Sequence, residues 1–276
     1  MAEEDPGPVV QRLILGNRAR ELRERAGLGL EAANSALRWY RGKLSKIETG
    51  RISPSPKDTE ALLKLCNVIG AEAEDIRRLA AASRRYAAPE RVADSGRDYV
   101  AFERVASTID MVYPEVPGLL QTMEYARAQL MWSPVILGSE VMGMAAAREE
   151  RGERLRASST RTRLILGEEA LYRQVGGNGV LRRQLERVLD FSRLPHVAIR
   201  VMPFQSGAAP GLSCPFTLLY IEAAKAHIVY AETLTGADYI KTPGAYSLVL
   251  EQMWERSLSD EDTRSLLQDR IRDIAD

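Results

Sequence analysis

Cationic and small polar side chains lie at helical spacing in the N-terminal third of the chain. In the segment LRWYRGKLSKIETG, which ends at Gly50, Leu44 and Ile47 continue an apolar repeat of helical period. If these two side chains point inward, the rotation of the helix places a second set of side chains on the outer face or at its border. That set comprises Arg41, Gly42, Lys43, Ser45, Lys46 and Thr49. Because guanidinium and ammonium groups bind phosphates and base edges, this segment is predicted to enter the major groove of DNA.

The distribution of charge supports a nucleic-acid partner at one end of the chain. The 276 residues carry 38 basic and 38 acidic side chains, so the formal net charge is zero. Residues 10–87 nevertheless hold 16 Lys and Arg against 9 Asp and Glu, whereas residues 88–276 hold 22 against 26. A basic small domain attached to a mildly acidic larger one favours DNA binding through one domain. Chance clustering of solvated charges is the alternative.

Residue types that catalyse reactions are few and scattered. The two histidines, His196 and His227, are interpreted as hydrogen-bonded structural or surface residues. The adjacent Glu168 and Glu169 would not face each other on a helix or a strand. The glycine-rich segment VGGNGV, residues 175–180, lacks the lysine and hydroxyl residue of a P-loop and is interpreted as a capped loop. We therefore expect no cofactor and no metal, and we predict that the chain is not an enzyme.

Cysteine usage and hydropathy indicate the compartment. Cys66 and Cys214 are too few for a disulfide framework, and their apolar neighbours predict two buried thiols. No segment has the pattern of a signal peptide or the length of a transmembrane helix. We therefore expect a soluble cytoplasmic protein that has no membrane contact and that associates with the nucleoid through DNA.

Apolar periodicity and turn residues predict an all-helical N-terminal domain. Residues 1–9 are acidic and are expected to be flexible. Within residues 10–87, a first helix with an inward stripe of Leu15, Ala19, Leu22 and Ala26 ends at Gly27. The helix pair between Leu30 and Gly50 follows, and two more helices are predicted at 58–66 and 72–86. Proline, glycine and serine between charges predict a linker at residues 88–98.

Residues 99–276 have the pattern of a mixed α/β, or α+β, domain. Short apolar or alternating runs predict strands at 164–166, 197–201, 216–221 and 228–231. Helix-forming stretches predict helices at 99–109, 118–131, 139–156, 180–191, 246–254 and 262–274. The segment SGAAPGLS, residues 206–213, is expected to be a long loop between two strands. The predicted fold class is therefore multi-domain, with an all-α domain followed by a mixed α/β domain.

The motif LSKIETG at Leu44 to Gly50, preceded by LEAANSAL, resembles the helix-turn-helix of the xenobiotic-response-element (XRE) family of bacterial and phage repressors. The resemblance extends from about residue 14 to residue 69. It implies five helices, of which the third, Tyr40 to Glu48, enters the major groove. It also implies a structural ion pair between Glu48 and Arg23 of the first helix.

The same resemblance assigns roles around the third helix. Arg41, Gly42 and Lys46 fall where contacts to base edges are usual. Lys43, Arg51 and the backbone near Gly50 fall where phosphates are held. The full set of expected DNA-binding residues is Tyr40, Arg41, Gly42, Lys43, Ser45, Lys46, Thr49 and Arg51.

Three features depart from the family pattern. Leu30 stands where a phosphate-binding Gln is common, and Arg38 and Trp39 replace the usual turn residues. Trp39 is interpreted as a plug in the interhelical core, with base stacking as the alternative. Gly42, in the interior of the predicted helix, would cost about 1 kcal/mol relative to alanine. Either it allows close approach to DNA, or Arg41 and Lys46 provide most of the readout.

Three further segments resemble a second family. They are VPGLLQTMEYARAQL (116–130), FQSGAAPGLSCPFTLL (204–219) and VYAETLTG (229–236). Together they are similar to the large C-terminal domain of unknown function in WhiJ-like regulators of actinobacteria. The resemblance implies a small, separately encoded protein partner and, for some members, an antitoxin-like role.

Together these features predict a sequence-specific transcriptional regulator, a homodimer that reads a pseudo-palindromic DNA operator. The C-terminal domain is expected to dimerise the protein and to receive a signal from a small protein partner. One alternative is an antitoxin-like protein that neutralises this partner and autoregulates its operon; another is an enzyme localised by its helical domain. The expected contacts for a ligand or partner are the aromatic residues Phe204, Phe216, Tyr220 and Tyr230, with ordinary core as the alternative.

Overall fold

The computed structural model of the protein describes residues 7–85, 94–233, 236–240 and 242–274. Within these residues the chain forms two compact units. The first comprises residues 7–85 with residues 98–105 and 221–226, and the second comprises the other described residues. Most of the predicted flexible terminus (1–9) and of the predicted linker (88–98) lies outside the described residues, and the predicted domain boundaries stay predictions.

Five α-helices form most of the first unit. They are α1 (Pro8–Arg25), α2 (Leu30–Ala36), α3 (Lys43–Glu48), α4 (Pro56–Leu65) and α5 (Gly70–Ser83). The predicted all-α class of this region is therefore confirmed. Residue 86, the predicted end of the fifth helix, lies outside the described residues.

Capping residues set the helix boundaries of the first unit. At the start of α4, the Ser55 hydroxyl accepts a hydrogen bond from the Asp58 N–H (3.1 Å), and the Asp58 carboxylate accepts one from the Ser55 N–H (3.1 Å). Gly27 has φ +69° and ends the first helix in the left-handed conformation. Ala26, which was expected on the buried stripe, is exposed because it is the C-cap residue of α1.

The core of the first unit consists of two apolar clusters. One contains Leu15, Leu22, Leu63, Val68, Ala73, Ile76 and Ala80. The other contains Ala19, Ala33, Leu44, Ile47 and Leu62. Trp39 packs against the second cluster, so its interpretation as a core plug is confirmed. Leu30, which the helical repeat placed inward, is instead exposed at the start of α2.

A six-stranded mixed sheet is the centre of the second unit. Its strands are β1 (Thr108–Tyr113), β2 (Arg161–Gly167), β3 (Val197–Met202), β4 (Phe216–Ile221), β5 (Ala226–Thr233) and β6 (Gly236–Ile240). The order across the sheet is β3-β2-β1-β4-β5-β6. Strands β1, β2 and β3 are parallel, whereas β4 is antiparallel to β1 and β6 is antiparallel to β5.

In the described residues, seven further α-helices precede, connect or follow the strands. They are α6 (Asp94–Val105), α7 (Met123–Leu130), α8 (Val141–Ala157), α9 (Asn178–Phe191), α10 (Pro210–Ser213), α11 (Gly244–Arg256) and α12 (Asp260–Asp273). Leu250 and Met253 of α11 pack on one face of the sheet, against Val112, Phe216 and Val229. Helix α11 therefore covers part of one face of a sheet whose parallel strands carry nearly continuous apolar runs.

The predicted strands are all present, and the mixed α/β class is confirmed. Two strands were missed. The helix predicted at 99–109 ends at Val105, because β1 begins at Thr108; this strand is central and lacks clear alternation. β6 has only five residues and no apolar run. The expected loop at 206–213 contains the short helix α10, which begins at Pro210.

Candidate nucleic-acid interface

The third helix begins later than its sequence predicts. Gly42 has φ +84° and is the N-cap residue, so α3 spans Lys43–Glu48 and the predicted start at Tyr40 is wrong. Tyr40 and Arg41 belong to the turn that leads into the helix. Gly42 is therefore not an interior helical residue, and the free-energy cost expected for a glycine inside a helix does not apply. Its role is to adopt a left-handed conformation that other residues rarely adopt.

Asn34 of α2 holds this turn in place. Its side-chain NH₂ donates to the carbonyl oxygens of Trp39 (3.0 Å) and Tyr40 (3.2 Å), and its side-chain oxygen accepts from the Leu44 N–H (3.3 Å). One amide group therefore satisfies three backbone groups that no helix ladder pairs. Asn34 was not among the site residues predicted from the sequence. A polar residue with low helix propensity inside a short helix was the available signal.

Four of the expected DNA-binding residues present exposed side chains around α3. Arg41 precedes the helix, Lys46 lies within it and Arg51 follows it, so three cations lie along one connected segment. The ammonium group of Lys46 lies 5.5 Å from the centre of the exposed Tyr40 ring. This arrangement offers a cation–aromatic pair and two guanidinium groups to a large anionic partner.

Lys43 is differently placed from the other cations. Its ammonium group lies 2.6 Å from the Asp58 carboxylate and 4.6 Å from the Trp39 ring centre. Burial acts to raise the pKa of Asp58, but hydrogen bonds from Lys43 and Ser55 outweigh burial and leave the pKa lowered. Lys43 therefore joins α3 to α4, and a phosphate contact from this side chain would compete with Asp58.

The small residues of the expected set line a groove or bond to the backbone. Gly42 and Ser45 line a groove of about 440 Å³ together with Arg41, Asn34 and Trp39. In the same segment, the Thr49 hydroxyl donates to the Ser45 carbonyl at 2.7 Å. Thr49 therefore has its hydroxyl hydrogen committed to the helix, whereas Ser45 is half-buried beside the groove.

The ion pair between Arg23 and Glu48 is present and buried. Arg23 donates from Nε to Glu48 Oε1 (2.6 Å) and from Nη2 to Glu48 Oε2 (3.0 Å), and its Nη1 donates to the Leu28 carbonyl (2.8 Å). Arg20 approaches the same carboxylate at 3.7 Å. The hydrogen bonds that Arg23 donates to Glu48 raise the pKa of Arg23, so its guanidinium group stays charged. This pair fixes α3 to α1 from inside the unit.

Gly16 also fixes the position of α3, and it was not among the site residues predicted from the sequence. A Cβ atom at this position of α1 would lie 2.6 Å from the Glu48 carbonyl oxygen and 2.7 Å from that of Ile47. Only a residue without a side chain permits this approach. The last turn of α3 therefore rests directly on the backbone of α1.

Comparison with known families agrees with this division of the chain. Residues 14–79 match the family described as a helix-turn-helix domain. Residues 96–269 match the family described as a domain of unknown function, DUF5753, which covers more than half of the chain. The chain belongs to the DUF5753 family. Comparison with curated proteins and with solved structures gives no match.

The helix-turn-helix match identifies α2, the turn and α3 as a DNA-binding motif. The exposed cations described above therefore lie within a domain of a DNA-binding type, and the domain indicates a role in transcription regulation. Because α3 is held by a buried ion pair, a glycine contact and Asn34, its exposed side chains project from a rigid support.

The aromatic residues expected to contact a ligand divide into two groups in the DUF5753 region. Phe216 and Tyr230 are buried, and Phe216 belongs to the sheet core. Phe204 is exposed, with its ring centroid 6.3 Å from that of Tyr172. Tyr220 is half-buried and its ring lies 4.6 Å from that of His227. Phe216 and Tyr230 are therefore unsuited to direct contact with a partner.

The two cysteines are less buried than their apolar neighbours predict. Cys214 is exposed and Cys66 is half-buried, so the prediction of two buried thiols is wrong; burial nevertheless raises the pKa of Cys66. In the described part of the chain, no three His, Cys, Asp or Glu residues are grouped as a metal site would need. None of the described helices combines the length and the apolar character needed to cross a bilayer.

Proposed function

We propose that this protein is a sequence-specific transcriptional regulator of the WhiJ-like type, which reads DNA through α3 and the preceding turn. The proposal rests on the position of Arg41 and Lys46. Both side chains are exposed, and neither takes part in the ion pairs that hold the helix-turn-helix motif together. Arg41 and Lys46 would contact base edges, and Arg51 would contact phosphate. The chain would act by binding alone, without catalysis, in the cytoplasm and at the nucleoid.

Replacing Lys46 tests this assignment of roles. Lys46→Ala should relax the preference at one base pair and cost about 1–3 kcal/mol of discrimination, because one base contact is lost. Arg51→Ala is the matched control, since it removes one exposed cation from the same segment. It should weaken all duplexes about equally and reduce the salt dependence of binding by one phosphate contact. Duplexes selected from a random library by the unmodified protein, then titrated with each variant, measure both effects.

An unchanged base preference in Lys46→Ala would mean that another face of the motif reads the bases. Equal loss of preference in both variants would mean that neither contact is assigned correctly. In both cases the helix-turn-helix fold would stand and the residue assignment would fail.

We propose that the regulator is a homodimer joined through an exposed apolar stretch of the DUF5753 region. Between α7 and the start of α8, four of seven consecutive residues are large, apolar and at least 66% exposed: Met131, Trp132, Val135 and Leu137. Met142, at the start of α8, is 49% exposed. Such a concentration is rare on a monomer and marks a protein contact. A second copy is the occupant that a two-fold symmetric operator requires.

Trp132→Ser tests the dimer because this side chain is 90% exposed and its loss leaves the fold intact. The association constant should fall about 30-fold, equivalent to about 2 kcal/mol, as for a central aromatic contact. Leu248→Ser, at an isolated exposed leucine on α11, should leave association unchanged. Sedimentation equilibrium measures both. A protein that is monomeric before mutation, or a dimer insensitive to Trp132→Ser, contradicts this assignment.

The antitoxin-like alternative assigns the same apolar stretch to a small protein partner. Its support is the stretch itself, together with the resemblance to WhiJ-like regulators. The sedimentation experiment separates the two proposals, because a monomer that keeps DNA binding would leave the exposed stretch for a different protein. Growth arrest by a neighbouring small protein, relieved by this chain, would then favour neutralisation over dimerisation.

A further inference from the structure

A basic cavity lies at the amino-terminal edge of the parallel strands in the second unit. Its volume is about 640 Å³, within the range of small-molecule sites. The starts of β2 and β3, the turn after α9 and the first half of α12 supply its walls. Its charged and ionisable lining residues are Arg161, Arg163, Arg193, His196, Asp260 and Arg264. Four guanidinium groups therefore face a cavity with one acidic lining residue.

Some of these charges are already neutralised. Arg163 donates to both Asp110 oxygens, at 2.7 and 3.1 Å, and to Glu251 at 2.9 Å. Asp260 accepts from Arg200 Nε at 2.7 Å, so the acidic group of the lining is itself paired. Arg193 pairs with Asp190 at 3.3 Å near the surface. The acidic lining residue is therefore not free to neutralise the remaining arginines.

Arg161 and Arg264 keep most of their hydrogen-bonding capacity. Arg161 approaches the Thr108 hydroxyl at 3.5 Å, and Arg264 approaches the Ser192 carbonyl at 3.4 Å. Both distances are at the long limit for a hydrogen bond, and both acceptors are neutral. Among the described residues, no carboxylate forms an ion pair with either side chain. Two guanidinium groups with unused donors thus line the same cavity.

The cavity adjoins a second one that offers room for the rest of a ligand. The second cavity has a volume of about 350 Å³ and shares Arg161 and Arg163 with the first. Tyr220 and His227, whose rings lie 4.6 Å apart, form part of its lining. Its lining also includes Asp110 and Glu251, both of which are paired with Arg163, and the two cavities leave room beside Arg161 for a molecule larger than an inorganic ion.

We infer that the basic cavity binds the phosphate group of a small molecule, with Arg161 and Arg264 as its main ligands. Guanidinium groups bind phosphate oxygens through paired, charge-assisted hydrogen bonds, and a doubly charged tetrahedral anion accepts from two of them at once. A singly charged carboxylate would balance only half of the charge of the two guanidinium groups. The phosphate site itself does not depend on the proposed function. Only its consequence rests on the proposed regulator, because the phosphate compound would be the signal that the C-terminal domain senses.

Calorimetric titration of the full chain with pyrophosphate tests the site. The double variant Arg161→Gln/Arg264→Gln should weaken binding at least about tenfold, because charge-assisted hydrogen bonds are lost. Arg154→Gln is the matched control, since Arg154 lies on α8 and pairs with Glu150 on the same helix. It should leave binding unchanged. A thermal unfolding curve for each variant confirms that the fold persists, and acetate should bind far more weakly than pyrophosphate.

Three results would overturn the inference. The first is no pyrophosphate binding up to about 10 mM, which corresponds to a binding free energy of less than about 3 kcal/mol. The second is a loss of pyrophosphate binding in Arg154→Gln as large as in the double variant. The third is binding of acetate as tight as that of pyrophosphate. If the double variant keeps pyrophosphate binding but loses affinity for duplex DNA, the two arginines bind a nucleic-acid backbone and the inference also fails. A chain that binds pyrophosphate but no duplex would instead refute the proposed regulator and leave this site standing.

Discussion

Glu48→Ala is expected to destabilise the helix-turn-helix unit by about 3–5 kcal/mol, more than any exposed substitution near the DNA-binding surface. The Glu48 carboxylate accepts two hydrogen bonds from Arg23, and both side chains are at least nine-tenths buried. Removing the carboxylate leaves a buried guanidinium with only the Leu28 carbonyl and a peripheral contact to Glu24. Denaturant unfolding followed by far-UV circular dichroism measures the change.

The control for this substitution is Glu72→Ala. Glu72 also pairs with an arginine of α1, Arg25, at 2.7 Å, but both side chains are largely exposed. The transition should therefore be nearly unchanged, because exposed ion pairs contribute little. Glu48→Gln, which keeps one acceptor oxygen, should be intermediate. If Glu48→Ala and Glu72→Ala give equal, small effects, the buried pair does not hold α3 in place.

Gly16→Ala is the second substitution with a large expected effect. The added methyl group would lie 2.6 Å and 2.7 Å from two backbone carbonyl oxygens at the end of α3, which cannot rotate away. The helices must separate, and we expect a loss of about 1–3 kcal/mol, as for overpacked cores. This outcome is opposite to the usual gain of up to about 1 kcal/mol when alanine replaces a helical glycine.

Gly179→Ala supplies the matched comparison for Gly16. It also lies in a helix, α9, and an added Cβ would meet only the end of the Arg183 side chain at 3.6 Å. Its thermal midpoint should stay the same or rise. A stabilising effect of Gly16→Ala would contradict the close contact between α1 and α3.

The sequence predicted the two-domain organisation and most elements, because apolar periodicity reports which side of a helix or strand is buried. It did not predict where α3 begins. The left-handed conformation of Gly42 depends on Asn34, a residue from the preceding helix that bonds to the turn. Gly16 was missed for a related reason, since a close approach of two backbones leaves no trace in hydropathy.

The roles of the site residues also depend on contacts that the local sequence does not show. Lys43 and Lys46 are chemically identical in the sequence, and only the fold places Asp58 beside one of them. The basic cavity of the second unit was not predicted, because Arg161 and Arg264 lie far apart in the sequence and meet only after β2 and α12 are in place. Contacts between residues that are distant in the sequence, and not the local sequence pattern, decide which charged side chains lack an ion-pair partner.

Competition between a selected duplex and bulk DNA decides whether α3 reads the base sequence. Duplexes enriched from a random library by the full chain are titrated at near-physiological salt against an excess of unrelated DNA. If α3 reads sequence, the enriched duplex binds at least about 10³-fold more tightly than the competitor, and Lys46→Ala loses the preference at one base pair. Equal affinity for every duplex would contradict sequence-specific reading by α3.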